Sequence, residues 1–241
     1  MAPKIITVGA YKGGVGKTRM SYELAYLLKA PLIDFDYDGG GASGLWGYQH
    51  ERYTKAPLLD AFMSERTPRP LSGGRRPDLV PTHPNVGSEL INMQPEVVAE
   101  RIEKWASAWG SDYVVIDTHP GYHPITLGAF MAADLVVVPT TLDVNDLRGL
   151  GGMVRELSDY RMLVIPNRVP RIPPRNGRKV LGELMQEAGP ETRVGPFINE
   201  NRHLGQRTLH MAISAREAGH AYATFIKQME AVAQTVQELA K

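Results

Sequence analysis

The stretch IITVGAYKGGVGKTRM, residues 5–20, decides the fold. It opens with the apolar run 5–8, which is typical of a buried strand, and continues through the glycine-rich segment 13–18 into residues with helical spacing. Glycines let backbone N–H groups close around phosphate oxygens, with the positive end of the helix dipole behind them. A strand, a glycine loop and a helix in this order therefore predict a phosphate-binding P-loop.

The residues of this loop have separate predicted tasks. The predicted nucleotide-binding residues are Gly13, Gly14, Val15, Gly16, Lys17, Thr18 and Arg19. Lys17 reaches the β- and γ-phosphates as a point charge, and the Thr18 hydroxyl ligates Mg²⁺. Arg19 either adds a phosphate contact or faces solvent. The strict pattern GxxxxGK[ST] requires glycine where this chain has Tyr11, and the alternative to a variant P-loop is a glycine-rich turn that binds no nucleotide.

Short apolar runs alternate with amphipathic segments along the rest of the chain. The predicted strands are residues 5–8, 31–34, 89–93, 113–117, 134–139 and 162–166. The predicted helices are residues 18–29, 95–108, 124–131, 144–158, 178–188 and 217–240. This alternation predicts an α/β fold of the P-loop NTPase type, with a doubly wound, mostly parallel sheet flanked by helices. We expect a single domain over residues 1–241, because we find no obvious linker to a second small domain.

Composition excludes several classes of protein. The 241 residues contain no cysteine, so they hold no disulfide framework and no cysteine-ligated iron–sulfur cluster. A net charge of +1 argues against a protein that coats nucleic acid by bulk charge. No apolar run approaches the roughly 20 residues of a membrane span, and the amino terminus does not have the pattern of a signal peptide. We expect a cytoplasmic protein with no membrane partner.

The segment from Arg66 to Gly87 interrupts the alternation. It holds five prolines, three glycines and four arginines. We expect an extended surface loop, which is either an insertion at the rim of the fold or a loop that contacts DNA or a partner.

Carboxylates stand at the ends of two predicted strands, where a hydrolytic nucleotide site needs them. Asp34 and Asp36 are two residues apart, so both can face the phosphates, and Asp117 ends the strand 113–117. We assign Asp117 to the Mg²⁺ shell through water, Asp34 to support of that shell, and Asp36 to orienting the attacking water. The predicted metal residues are therefore Thr18, Asp34 and Asp117. The alternative for each carboxylate is a cap of a strand end.

Together these motifs resemble a known family. The segments concerned are KGGVGKT (12–18), DFDYDGGGASGLWG (34–47), YVVIDTHPG (113–121), AADLVVVPTTLDVNDLRGL (132–150) and VIPNRVP (164–170). They resemble the ParA/MinD family of deviant Walker-A ATPases, and most of all the small ParA proteins that lack an added DNA-binding domain. The resemblance covers nearly the whole chain and implies ATP and Mg²⁺ as ligands.

The resemblance also implies roles for Lys12 and Asn167. In this family a second lysine, at the position of Lys12, reaches across a dimer interface to the partner's nucleotide, so that ATP forms a homodimer and hydrolysis undoes it. Lys12, Lys17 and Asp36 are then the predicted catalytic residues. Asn167 occupies the position that lies against adenine, where an amide offers one donor and one acceptor. The alternatives are a solvated Lys12 and a turn-forming Asn167.

The chain departs from the family pattern at several positions. Arg19 replaces a small hydroxyl residue, Tyr37-Asp38 stands where Pro-Gln is usual, and His119 stands where a proline is common. These departures bear on the catalytic rate and on the geometry of the loop after Asp34. His119 and His123 are four residues apart, but each is followed by a proline, so a loop near the γ-phosphate is favoured over a metal-binding pair.

Positive charge is concentrated between Arg161 and Arg216. This stretch holds ten lysines and arginines and four glutamates, a balance of +6, whereas the whole chain carries +1. In ParA proteins the ATP-bound dimer binds DNA without sequence preference through basic residues of this region, and such affinity rises steeply with the number of phosphate contacts. The predicted DNA-binding residues are Arg168, Arg171, Arg175, Arg178, Arg202 and Arg207. The alternative is a scattered, solvated surface.

We therefore expect a weak Mg²⁺-dependent ATPase whose ATP-bound homodimer associates with the nucleoid and partitions or positions a cargo such as a plasmid. The resemblance implies a separate ParB-like or other adaptor protein that stimulates hydrolysis. One alternative is a MinD-like membrane-cycling ATPase, although the charges of the last predicted helix form no cationic face. Another is a metabolic ATP-dependent enzyme of the same fold.

Overall fold

The strands form a parallel sheet. The computed structural model describes residues 2–39, 41–52, 56–205, 210–215 and 221–241. Within these ranges a seven-stranded sheet has the order β3-β2-β4-β1-β5-β6-β7. The strands are β1 (Lys4–Val8), β2 (Leu32–Asp34), β3 (Leu79–Val80), β4 (Tyr113–Asp117), β5 (Leu135–Thr140), β6 (Met162–Pro166) and β7 (Thr192–Val194). Every neighbouring pair is parallel, which confirms the predicted α/β fold.

Helices cover both faces of this sheet. The α-helices are α1 (Lys17–Leu27), α2 (Ala42–Trp46), α3 (Pro57–Ser64), α4 (Val86–Glu89), α5 (Pro95–Trp109), α6 (Pro124–Met131), α7 (Val144–Glu156), α8 (Arg175–Glu187) and α9 (Ala223–Leu239). Short 3-10 helices lie at His50–Arg52 and Arg202–Leu204. On one face α1, α2 and α9 pack on the sheet; on the other, α3, α5 and α6 cover one half, and α7 and α8 cover the other half.

Side chains of the strands alternate between these two layers. Ile6 and Val8 of β1 pack with α1 and α9, whereas Ile5 packs with α5 and α6. Both faces of the sheet are therefore buried, and this is why the strands were recognisable as nearly continuous apolar runs. In such sheets ligands bind beyond the carboxyl ends of the strands. The P-loop, Asp34 and Asp117 all lie at that edge, at the ends of β1, β2 and β4.

The strand predicted at 89–93 is wrong. Helix α4 ends at Glu89, Leu90 is buried, and Ile91 is half exposed. These residues therefore do not pair with the sheet as a strand. The edge strand next to β2 is instead β3, whose position is secured by the Leu32 N–H, which donates to the Asp78 carbonyl at 2.8 Å. Neither this two-residue strand nor β7, which is largely exposed, was predicted.

The segment from Arg66 to Gly87 has no helix or strand over most of its length, but it supplies β3 and the first two residues of α4. Trp46 Nε1 donates to the Pro77 carbonyl at 2.9 Å, and the Arg76 guanidinium lies 3.6 Å from the centroid of the Trp46 ring. Arg75 Nη2 donates to the Ala215 carbonyl at 2.7 Å. Two of the four arginines of this segment therefore hold it against the rest of the protein.

The last helix packs into the core. The predicted helix 217–240 is present as α9 from Ala223, and residues 217–220 lie outside the described ranges. The apolar side chains of α9 pack with those of α1, and five of them are buried: Phe225, Ile226, Met229, Val232 and Val236. None of the helices in the described ranges combines the length and the hydrophobicity needed to cross a bilayer.

Candidate nucleotide-binding site

The P-loop joins β1 to α1 and has the backbone conformation that its glycines predict. Gly14 and Gly16 have φ angles of 78° and 98°, in the left-handed region that L-residues rarely adopt. A Cβ atom at Gly16 would lie 2.3 Å from Asn167 Nδ2, so no larger residue fits there. The residue before α1 is Gly16, which has no side chain to cap the amino terminus of this helix. Its first N–H groups are therefore available to an anion, and the helix dipole favours one.

Lys17 lies inside this loop. Its side chain is only 6% exposed, and Nζ donates to the Lys12 carbonyl at 3.2 Å, so the ammonium group is held over the loop. Burial lowers the pKa of Lys17, while the negative charges of Asp117 and Asp36 oppose that shift. The ammonium group is thus flanked by carboxylates on the side where phosphates would bind.

Asp117, at the end of β4, is fully buried and unsatisfied. Neither of its carboxylate oxygens has a hydrogen-bond partner among the described residues. Burial raises its pKa well above the ordinary value, the charges of Asp34 and Asp36 raise it further, and the nearby hydroxyls of Ser21 and Thr18 oppose the shift. A buried carboxylate without partners is costly unless a cation or a proton compensates it. This environment suits a carboxylate that serves a metal ion next to Thr18.

Asp34 is also fully buried, but its oxygens are already used. It lies beside Asp117 in the register of β2 and β4, and it accepts the backbone N–H of Asp36 at 3.0 Å and that of Ser43 at 2.6 Å. Burial raises the pKa of Asp34 to about 6, and the bonds from Ser43 and Asp36 limit the shift. Asp34 therefore fastens both ends of the loop between β2 and α2, and its predicted support of the metal shell stays a prediction.

Asp36 lies in that β2–α2 loop and is partly buried. Burial raises the pKa of its carboxyl group, and the Asp38 backbone N–H, the nearby His119 ring and the Lys17 ammonium group oppose the shift. Among the described residues no group of three or more histidine, aspartate and glutamate side chains is arranged to hold a metal ion. Of the two histidines noted in the sequence, His123 caps α6: its Nδ1 accepts the Ile125 N–H at 3.3 Å.

A cavity of about 390 Å³ opens beside the P-loop. Its lining includes Gly16, Arg19, Asn167, Arg168, Arg202 and Phe225. Asn167 Nδ2 donates to the Val15 carbonyl at 2.8 Å, so this amide braces the loop on the side of the cavity where the base was predicted to bind. Arg168 Nη1 donates to the Gly14 carbonyl at 3.0 Å. The sequence analysis did not predict this second contact to the loop. The position of Arg168 next to Asn167, directly after a strand of the sheet, could have indicated it.

Comparison with known proteins agrees with this geometry. A family model described as an AAA domain matches residues 3–164, more than half of the chain. The chain belongs to the ParA/MinD family of P-loop ATPases. The chromosome-partitioning ATPase Soj of Thermus thermophilus is 31% identical over 163 residues, which cover 65% of this chain and 62% of Soj. This ParA/MinD-family chain thus spans less than two thirds of the length of that relative.

Solved structures share the fold of the whole chain. An ATP complex of McdA from Cyanothece matches with a TM-score of 0.79 and 20% identity, covering 99% of this chain and 96% of McdA. The cell division ATPase MinD of Pyrococcus furiosus matches with a TM-score of 0.76 and 19% identity, covering 99% and 100%. At these identities the likeness shows the fold, and both neighbours have the architecture expected for the ParA/MinD family.

The second lysine of the ParA/MinD-type loop pairs with a residue of α7. Lys12 Nζ lies 3.4 Å from Asp146 Oδ1 on α7, and the Lys12 side chain is about half exposed. Asp146 also accepts the Thr141 hydroxyl at 2.6 Å. Within one chain Lys12 is therefore a surface residue beside the P-loop, and it lies where a second molecule can reach it.

The structure divides the predicted DNA-binding arginines into two places. Arg175 and Arg178 are exposed at the start of α8, and Arg171 is exposed four residues before this helix. None of them forms an ion pair with another described residue, and we call these three the α8 basic surface. Arg168 and Arg202 line the cavity beside the P-loop. Arg207 lies outside the described residues.

Proposed function

We propose that this protein is a weak Mg²⁺-dependent ATPase that dimerises around ATP, binds DNA non-specifically in the ATP state, and partitions or positions a cargo such as a plasmid. A separate ParB-like or other adaptor protein stimulates hydrolysis, and the ATP-bound form associates with the nucleoid. The observation that carries the proposal is the fully buried Asp117 carboxylate, which accepts no well-formed hydrogen bond from the described residues and whose negative charge acts on Lys17.

The residues around the P-loop suit Mg²⁺ and a triphosphate. Thr18 would hold Mg²⁺ directly and Asp117 through water, since hydroxyl, water and carboxylate oxygens suit this ion, and Asp34 would support that shell from the neighbouring strand. Bound there, the ion would neutralise charge on the phosphate oxygens. Lys17 and the loop backbone bind the phosphates, Arg19 and Asn167 line the side that receives the rest of the nucleotide, and Asp36 orients the attacking water.

The position of Lys12 supports dimerisation around ATP. Its partner, Asp146, forms an exposed ion pair with it, and such pairs contribute about 0–1 kcal/mol. The phosphates of a nucleotide bound to a second subunit carry more charge than Asp146, and a dimer interface excludes water, so they can replace it. ATP then favours the dimer, and loss of the γ-phosphate weakens it.

The α8 basic surface supports the DNA-binding part of the proposal. Arg175 and Arg178 are three residues apart on α8 and share one side of it, while Gly177 and Leu181 face the protein. A dimer presents this surface twice. Because non-specific affinity depends steeply on the number of phosphate contacts, the dimer binds DNA where the monomer releases it. The fold is shared with MinD, so the membrane-cycling alternative also fits it; the observation against a lipid-binding last helix is that the apolar side of α9 is buried against α1.

The test is binding of the protein to a random-sequence DNA duplex at fixed salt with ATP, a slowly hydrolysed ATP analogue, or ADP. We expect retention with the two triphosphates only. Lys12→Ala should abolish retention, and the double variant Arg175→Ala/Arg178→Ala should weaken it at least tenfold while ATP still binds. The matched control is Arg161→Ala, since Arg161 is also exposed but pairs with Glu191 at 3.3 Å. Equal binding in every nucleotide state would contradict the proposal.

A further inference from the structure

Three residues that depart from the family pattern meet in space. Tyr37 and Asp38 follow β2, and His119 follows β4, 81 residues after Asp38. His119 Nε2 lies 2.7 Å from Asp38 Oδ2. The rings of Tyr37 and His119 stack, with their centroids 4.5 Å apart and their planes 8° from parallel. Separate in sequence, these residues form one contact, which we call the His119 clamp.

Tyr37 is packed on further sides as well. A Cβ atom at Gly87 would lie 2.5 Å from Tyr37 Cε2, so the ring rests directly on the backbone there. The His123 ring lies 5.3 Å from the Tyr37 ring. Since His123 Nδ1 accepts the Ile125 N–H, its Nε2 carries the proton and donates to the Gly87 carbonyl at 2.9 Å. The Tyr37 ring of the clamp therefore packs against the backbone at Gly87 and against His123, which are hydrogen-bonded to each other.

The clamp lies next to Asp36. Asp36 is connected to its own loop by two contacts: its N–H donates to Asp34 Oδ1 at 3.0 Å, and its Oδ1 accepts the Asp38 N–H at a long 3.4 Å. Asp38 and Tyr37 are the two residues that follow it, and both are held by His119. The direction of the Asp36 carboxylate thus depends on a contact made by the loop after β4.

The geometry points to His119 as a positioning residue for hydrolysis: it binds Asp38, stacks on Tyr37, and so holds the Asp36 carboxylate in place before ATP arrives. This inference rests on the proposed ATPase function. His119 acts through Asp36 and does not itself bind the nucleotide. Its loss therefore lowers kcat and leaves KM for ATP nearly unchanged, because the P-loop residues that bind the phosphates are untouched.

Kinetics of single and double variants test this role. We expect His119→Ala and Asp38→Ala each to lower kcat about tenfold, with KM within about twofold, since small misplacements of reacting groups are costly. The double variant should be no slower than the slower single variant, because both changes break the same contact. Tyr37→Phe, which keeps the stacked ring, should retain kcat, whereas Tyr37→Ala should not. The control is His50→Ala in the 3-10 helix His50–Arg52, outside the clamp.

Amide hydrogen exchange of the nucleotide-free protein measures the mobility of the β2–α2 loop independently of catalysis. Amides of residues 35–39 and 41–42 should exchange faster in His119→Ala and Asp38→Ala than in the wild type and in His50→Ala. Unchanged exchange, unchanged kcat, or losses that multiply in the double variant would each overturn the positioning role while leaving the ATPase intact. A wild-type protein that does not hydrolyse ATP at all would overturn the proposed function itself, and the inference with it.

Discussion

Two neighbouring loops at the same edge of the sheet are held in different ways. Backbone conformation shapes the P-loop: Gly14 and Gly16 have positive φ angles, and the braces from Asn167 and Arg168 reach carbonyl oxygens. Side chains hold the β2–α2 loop, described over residues 35–39 and 41, through Asp34 and the His119 clamp. A loop shaped by its backbone requires glycine at fixed positions, whereas a loop held by side chains can change its sequence if its partners change with it.

The largest expected effect comes from breaking the backbone shape of the P-loop. Gly16→Ala places a methyl group in a left-handed conformation and 2.3 Å from Asn167 Nδ2. We expect ATP affinity to fall at least about 1,000-fold, which corresponds to about 4 kcal/mol. Isothermal titration with a slowly hydrolysed ATP analogue measures this loss. The control is Gly182→Ala on α8, where a Cβ atom meets nothing within 4 Å and affinity should not change.

The second effect concerns the hydrogen bonds that connect α1, the helix after the P-loop, to the segment around Ser214. Glu23 on α1 is fully buried and accepts three hydrogen bonds, from Ile213 N at 2.8 Å, Ser214 N at 2.9 Å and Ser214 Oγ at 2.8 Å. Glu23→Ala leaves these donors unsatisfied and should lower the free energy of unfolding by about 3 kcal/mol.

Urea unfolding of the nucleotide-free protein measures the loss at Glu23. The matched control is Glu183→Ala on α8, where the carboxylate is exposed and pairs with Lys179 at 3.6 Å. That change should stay within about 0.5 kcal/mol. A loss below about 1 kcal/mol for Glu23→Ala would mean that the segment around Ser214 does not stabilise α1.

The third effect concerns Asp117, whose buried carboxylate affects both the pH dependence of folding stability and the binding of Mg²⁺ with ATP. Because the pKa of Asp117 is raised in the folded state, the folded protein binds that proton more tightly than the unfolded chain does. The resulting stability is present at low pH and is lost as pH rises through the raised pKa. Asp117→Asn should therefore be more stable than the wild type at pH 8 without nucleotide, and this advantage should shrink toward pH 4.

Asp117→Asn should at the same time weaken Mg²⁺-dependent ATP binding about 10- to 100-fold, because the charge that attracts the cation is gone. Thermal unfolding at several pH values, followed by titration of ATP with and without Mg²⁺, measures both quantities. A stability difference that is the same at every pH would argue against a raised pKa for Asp117.

The contrast between the loops also explains what could be predicted from the sequence. The P-loop could be recognised because a positive φ angle demands glycine locally, and β1, β4 and β6 because strands buried on both faces are continuously apolar. The strand β3 could not, since two residues leave no periodic pattern and its place depends on pairing with β2. The segment 89–93 contains three apolar residues, and the wrong prediction of a strand there assumed that all three are buried on the sheet.

The site shows the same limit. Asp34 and Asp117 both end strands of the parallel sheet, so the sequence could predict that they lie at the same edge, and the register of β2 and β4 pairs them. That Asp34 uses both oxygens on backbone N–H groups could not be predicted, since this depends on where Ser43 returns in space. The His119 clamp was out of reach for the same reason: its members were noted as separate departures, and only the fold brings them together.

The smallest expected effect sharpens the comparison, because it asks how much a side chain adds to a loop that its backbone already shapes. Arg168 is exposed and contributes one charge-assisted bond to the Gly14 carbonyl at 3.0 Å. Arg168→Ala should lower ATP affinity only about two- to fivefold, which is within the roughly 1 kcal/mol of an exposed contact. The control is Arg193→Ala on the exposed strand β7, which should leave affinity unchanged in the same titration. A loss of a hundredfold or more would mean that Arg168 contacts the nucleotide itself, and it would move this arginine from support of the loop to the binding of ATP.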